Sequence, residues 1–99
     1  MARFSVFRNA GAQGYLLDVQ ANILEHLNTR MVVPLLPLSM APTPAQGLNP
    51  VFNVAGEPMV MMTQFMAAVP TSLLKLPESN LEFSRNEITA ALDLLFQGF

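Results

Sequence analysis

Cysteine and tryptophan are both missing from these 99 residues, and charge is scarce, with five Lys and Arg against seven Asp and Glu. Without thiols there is no disulfide framework and no thiolate metal site, which fits a reducing, cytoplasmic compartment. A single histidine, His26, has no second imidazole or thiol with which to share a metal or activate a nucleophile. A solvated loop position is expected for it. Arg3, Arg8, Arg30, Lys75 and Arg85 are scattered along the chain. No basic stripe results, which disfavours direct binding to nucleic-acid phosphates and adsorption to an anionic membrane. No apolar run approaches the roughly 18 residues of a membrane span, and Met1 to Ser5 lack the apolar core of a signal peptide. The five glycines follow neither a Walker nor a dinucleotide-binding pattern. Asp18 and Asp93 show no spacing that pairs them as acid and base. No cofactor and no metal are expected.

What is abundant is apolar surface: 52% of residues are hydrophobic, with seven Met and seven Phe. One domain spanning residues 1–99 is the natural reading at this length. So few charges would cover a small monomer poorly, which points to a buried subunit interface. The binding partners of such a chain are expected to be proteins.

Along the chain, Arg3–Arg8 alternates as a strand, a glycine-bearing turn follows, and Tyr15–Gln20 reads as the return strand. Residues 21–28 have no clean period and suit a short helical turn or a loop. Thr29–Leu38 is the most apolar strand, and its Pro34 and Pro37 must sit at an edge or a bulge. Ser39–Pro50, rich in Pro and Ala, reads as a surface excursion. Val51–Val54 and Met59–Thr63 flank a turn at residues 55–58 and suggest a second hairpin. Ala67–Pro70 and Ser72–Leu76 are shorter strand candidates. Met59, Met61, Met62 and Met66 either fill the core or offer an adaptable surface to a partner.

Ser84–Phe99 is the one strongly helical stretch. Ser84-x-x-Glu87 has the form of a capping box. Ile88, Ala91, Leu92, Leu95 and Phe99 fall on one side at spacings of three and four, with Leu94 and Phe96 on its flanks. Ala90, Asp93 and Gln97 face outward. The apolar arc is wider than one core contact needs, so its last turn either packs on its own domain or is presented to another protein. Gly98 allows a positive φ and a turn out of the helix. Several short strands and one terminal helix give a mainly β fold, a small antiparallel barrel with an appended helix.

Taken in order, Asp18-Val19-Gln20, Thr29-Arg30-Met31-Val32-Val33-Pro34-Leu35, Met61-Met62-Thr63, Met66-Ala67-Ala68-Val69-Pro70, Arg85-Asn86-Glu87-Ile88 and the near-terminal Gly98 resemble the CcdB family of toxins, end to end. The resemblance implies an SH3-like barrel of the CcdB/MazF type with a small extra sheet and a C-terminal helix. It also implies a homodimer that is not an enzyme but a topoisomerase poison. Such toxins bind the DNA gyrase A subunit, trap the cleaved-DNA complex, and are neutralised by a CcdA-type antitoxin. DNA is contacted only indirectly, when the toxin–antitoxin complex represses its own operon. Carried over by position, the gyrase-binding residues are Ile23 and Leu24 together with Asp93, Phe96, Gln97, Gly98 and Phe99. Asp93 stands where the best-studied member has Asn, and Gln97 where it has the Trp that stacks on arginine of gyrase.

Two other functions compete. A degenerate chromosomal toxin would keep antitoxin binding without poisoning gyrase, and a MazF-like ribonuclease would share the barrel. The second needs converging basic and acid–base groups, and Arg30 is the one basic residue well placed in a strand, with no obvious partner. The scarcity of charge and the wide helical arc together predict a dimer. Light scattering at micromolar concentration should give twice the 10.8 kDa chain mass; a monomer there would contradict it.

Overall fold

One nine-residue strand, Thr29–Pro37, carries most of the sheet. In chain order the elements are β1 (Ser5–Arg8), β2 (Tyr15–Asp18), β3 (Thr29–Pro37), β4 (Val51–Val54), β5 (Glu57–Met61), β6 (Ala67–Pro70), β7 (Pro77–Asn80) and helix α1 (Arg85–Gln97). They come from a computed structural model that describes residues 2–9 and 11–98. The strands lie in the order β4-β5-β3-β2-β1-β7, with β6 added on β3, and every pairing is antiparallel. This mainly antiparallel sheet curls into a half-barrel with α1 at its C-terminal end, the SH3-like arrangement.

Cross-strand rows show how the core is built. Val6, Leu17 and Val33 stand opposite one another, as do Tyr15, Leu35 and Met61. Ile88 and Ala91 of α1 close over this face, with Phe4, Phe52 and Met59 filling the remainder. On the opposite face Phe7, Val32 and Leu74 make a smaller cluster, flanked by Leu16 and Val69. Both faces of β3 are thus covered, which is why its sequence from Met31 to Pro37 is apolar and does not alternate.

The prolines of β3 sit neither at a sheet edge nor at a bulge. Residues 29–32 pair with β6 and residues 35–37 with β5. Pro34 lies between the two ladders and accepts the Met62 amide on its carbonyl at 2.9 Å. In an antiparallel strand a residue's N–H and C=O point to the same side. The missing donor of Pro34 therefore faces the gap where β3 changes partner, and no ladder bond is lost. Pro37 is the last residue of the strand.

Two further expectations need correction. Ser84 is not a capping-box residue: its φ of −103° and ψ of 19° belong to a 3-10 turn, Glu82–Ser84, and its side chain makes no capping bond. The cap lies upstream, where Asn80 Oδ1 accepts the Glu82 amide at 2.8 Å. Within Ser72–Leu76, Thr71–Leu73 is a 3-10 turn rather than a strand, and it drops Leu74 into the smaller cluster. The strand lies just beyond, at β7, whose four residues are all exposed and so show no apolar alternation. The methionines follow the first of their two readings, since Met59, Met61 and Met62 are all buried. They fill the core and offer no open surface to a partner.

Two turns depend on backbone freedom. A Cβ on Gly14 would stand 2.1 Å from the Leu35 carbonyl oxygen, so only glycine lets the first hairpin lie this close to β3. In the second hairpin Ala55 and Gly56 form a two-residue loop with φ values of 54° and 80°. A primed turn of this kind matches the strand twist, but its first position disfavours alanine by about 1–2 kcal/mol. Ala55→Asn would supply the preferred Asn-Gly pair at an exposed site. It should raise the melting temperature by roughly 4–8 °C for about 1 kcal/mol in a domain of this size; a lower melting temperature would show that the turn is not under this constraint.

Candidate protein-binding surface

The buried end of β2 sets up the first candidate surface. Asp18 and Arg30 are both fully enclosed, and the guanidinium grips the carboxylate with two bonds, Nε to Oδ2 and Nη2 to Oδ1, each 2.9 Å. The β2–β3 register sets Asp18 opposite Val32, two residues from Arg30, so the pair bridges diagonally across the two strands. Arg30, expected to lack a partner, is instead locked onto Asp18 and closed to solvent. Among the described residues its Nη1 has no acceptor.

Past this pair the chain leaves the sheet. Residues 21–29 are all exposed, with a 3-10 turn at Asn22–Leu24. Ile23 is 84% exposed and Leu24 41%, so two aliphatic side chains project from a segment with no buried residue. The turn is held by polar tethers. The Arg3 amide donates to Asn22 Oδ1 at 2.8 Å, and the Arg3 Nε to the Val19 carbonyl at 3.1 Å. These anchors left no mark in the sequence, because a lone Asn or Arg in an aperiodic stretch has no pattern to reveal it. His26 lies in the same exposed segment, and no group of three or more metal-binding side chains occurs among the described residues.

The second surface is the end of α1. Its apolar arc divides along its length. Ile88 and Ala91 are buried, Leu92 and Leu94 half-buried, and Leu95 and Phe96 exposed, Phe96 at 70%. Asp93, Gln97 and Gly98 are exposed beside them. Gly98 takes φ 81° and its amide bonds the Leu94 carbonyl at 3.0 Å, so the helix stops there in a left-handed residue. Phe99, the remaining expected contact, lies outside the described residues. The loop at residues 41–50 braces this helix, with Gly47 beside Leu94. Buried Asn49 pins that loop by donating to the Met61 carbonyl at 3.0 Å and to Gln64 Oε1 at 2.8 Å. The helix packs against the 3-10 turns at Thr63–Phe65 and Glu82–Ser84.

A family model described as CcdB protein matches residues 3–98. The chain belongs to the CcdB family. It is therefore the toxin of a toxin–antitoxin pair. Among the described residues of this CcdB-family toxin, no helix is long and apolar enough to cross a membrane. A third surface feature is a groove of about 400 Å³ lined by Phe7, Leu73 and Leu76 together with Lys75 and the ion-paired Arg8 and Glu78.

The buried ion pair gives a direct test of what supports the Ile23–Leu24 turn. Removing one partner strands a buried charge, whereas replacing both with apolar residues restores a neutral interior. Asp18→Ala should lose about 3–5 kcal/mol. Asp18→Leu combined with Arg30→Met should recover most of it, since Nη1 is unsatisfied even in the native pair. Urea unfolding decides the matter, and a double variant as unstable as the single one would show that the pair itself, rather than the stranded charge, controls stability.

Proposed function

We propose that this toxin poisons DNA gyrase by presenting Ile23, Leu24 and the C-terminal end of α1 to the gyrase A subunit, acting as a protein-binding inhibitor without catalysis of its own. The observation that carries this reading is the exposure of the last helical turn: Phe96 stands at 70% exposure beside Gln97 and a left-handed Gly98. A helix end that merely completed its own core would bury such a ring. Large aromatic anchors at the centre of an interface contribute about 2 kcal/mol or more. Phe96 fills that role here, with Gln97 offering hydrogen bonds worth about 0.5–1.5 kcal/mol each.

A homodimer completes this arrangement. The half-exposed side of α1, with Leu92 and Leu95, leaves apolar surface that a second copy would cover. Neutralisation by a CcdA-type antitoxin fits the groove beside β7. Its apolar lining, with Lys75 beside an Arg8 that is already paired to Glu78, suits an amphipathic segment that folds as it binds. Operon DNA would then be met through the antitoxin. The ribonuclease alternative loses its one candidate group, because Arg30 is enclosed and bound to Asp18 and cannot reach a phosphate.

Gyrase-mediated DNA cleavage with purified variants tests the reading, with thermal melting as the control for folding. Phe96→Ala should weaken poisoning about 30-fold, the equivalent of about 2 kcal/mol, and leave the melting temperature unchanged. Gln97→Trp should strengthen poisoning. If the wild-type protein traps no cleaved DNA at any concentration, the reading gives way to a toxin that has lost this target.

A further inference from the structure

We infer that Gln20 is the positioning residue of the Ile23–Leu24 surface, acting as a side-chain substitute for the peptide unit that β2 would have supplied had it continued. This rests on the reading that Ile23 and Leu24 meet the target. The β2–β3 ladder runs regularly to Asp18 opposite Val32, and the Val19 amide still donates to the Met31 carbonyl at 3.0 Å. Beyond that point the main chain turns away from β3. The next donor on β3, the Met31 amide, is met by Gln20 Oε1 at 3.0 Å. The other end of the same side chain, Nε2, donates to the Leu24 carbonyl at 3.1 Å.

A carboxamide offers a carbonyl acceptor and an N–H donor on one planar unit, as a peptide does. Its orientation is fixed here because one end faces an N–H and the other a C=O. The main chain of Gln20 is held as well. Its amide donates to Asp18 Oδ1 at 3.0 Å, and its carbonyl accepts from Arg30 Nη2 at 3.3 Å. All four polar groups of the residue are thereby engaged. They join the buried ion pair, the amide of β3 at Met31 and the exposed turn.

Little packing holds that turn, since every residue from 21 to 29 is exposed and none is buried. The turn's own bonds are short-range, from the Leu24 amide to Ala21 and from the Glu25 amide to Asn22, both 3.0 Å. A 3-10 turn of this length is marginal on its own. The Gln20 tether, with Arg3 and Asn22 at the other end, keeps it in one geometry before any partner arrives. If the turn without this tether spends one-tenth of its time in the binding geometry, affinity falls tenfold by that fraction alone.

Gln20→Glu separates the two ends. It keeps an acceptor for the Met31 amide and removes the donor to Leu24. Binding to the gyrase A dimerisation fragment should weaken about tenfold, and the Leu24 and Glu25 amides should exchange hydrogen faster while those of β3 do not. Adding Ala21→Pro to this variant should restore much of the affinity, because Ala21 has φ −60° and ψ 140°, which proline adopts. Ile23→Ala is measured alongside. If Ile23→Ala weakens binding and Gln20→Glu does not, the positioning role is overturned while the target surface stands. If neither weakens binding, the proposed surface itself is wrong. Should Gln20→Glu fail to fold, hydrogen exchange in the unaltered protein decides: Leu24 and Glu25 amides as unprotected as those of an open chain would overturn the inference.

Discussion

Two opposite charges enclosed between strands, Asp18 and Arg30, constrain everything around them. Neither can be buried alone, so the pair forms only when β2 and β3 are in register. A slip of one residue would send one of them to the other face and leave the remaining charge without a partner. Hydrophobic rows such as Val6–Leu17–Val33 are forgiving of repacking. The ion pair is not. It pins the end of β2 at the place where the chain leaves the sheet to form its most exposed turn.

From that fixed point the molecule divides into a rigid part and a presented part. The rigid part is the half-barrel and the first two turns of α1, where Ile88 and Ala91 are anchored. The presented part is the 22–24 turn and the last turn of the helix, both apolar and both held by bonds made elsewhere. Such a division suits binding. Apolar groups that are exposed but already ordered lose little entropy when a partner covers them.

Much of the fold was legible in the sequence, and the failures share a cause. The alternation of Val51–Val54 and the spacing of Ile88 and Ala91 reflect one buried face, so periodicity found them. β7 was missed because it is an edge strand whose four residues are all exposed, leaving no apolar signal. The capping box was misread because Ser-x-x-Glu describes composition, whereas the cap is a matter of backbone angle. A 3-10 turn had already taken Ser84 out of the extended conformation. At the surface, exposure of Phe96 and Gln97 followed from the arc being too wide. The supports under Ile23 and Leu24 did not, because Gln20, Asn22 and Arg3 act through individual polar bonds to partners 4, 11 and 19 residues away, which no periodicity reveals.

The pairing of β1 with β7 joins residues 5–7 to residues 77–80, and α1 reaches the core through Ile88, Ala91 and Leu92. On a ribosome the chain therefore cannot complete its sheet or cover its apolar face until residues 77–91 have emerged. Long-range pairings of this kind are slow to form and leave unpaired edges exposed meanwhile. A chain cut short before residue 77 would leave its Val6–Leu17–Val33 face open and prone to self-association. For a toxin this ordering has a practical effect: a copy that stops before α1 has neither a closed core nor the exposed Phe96.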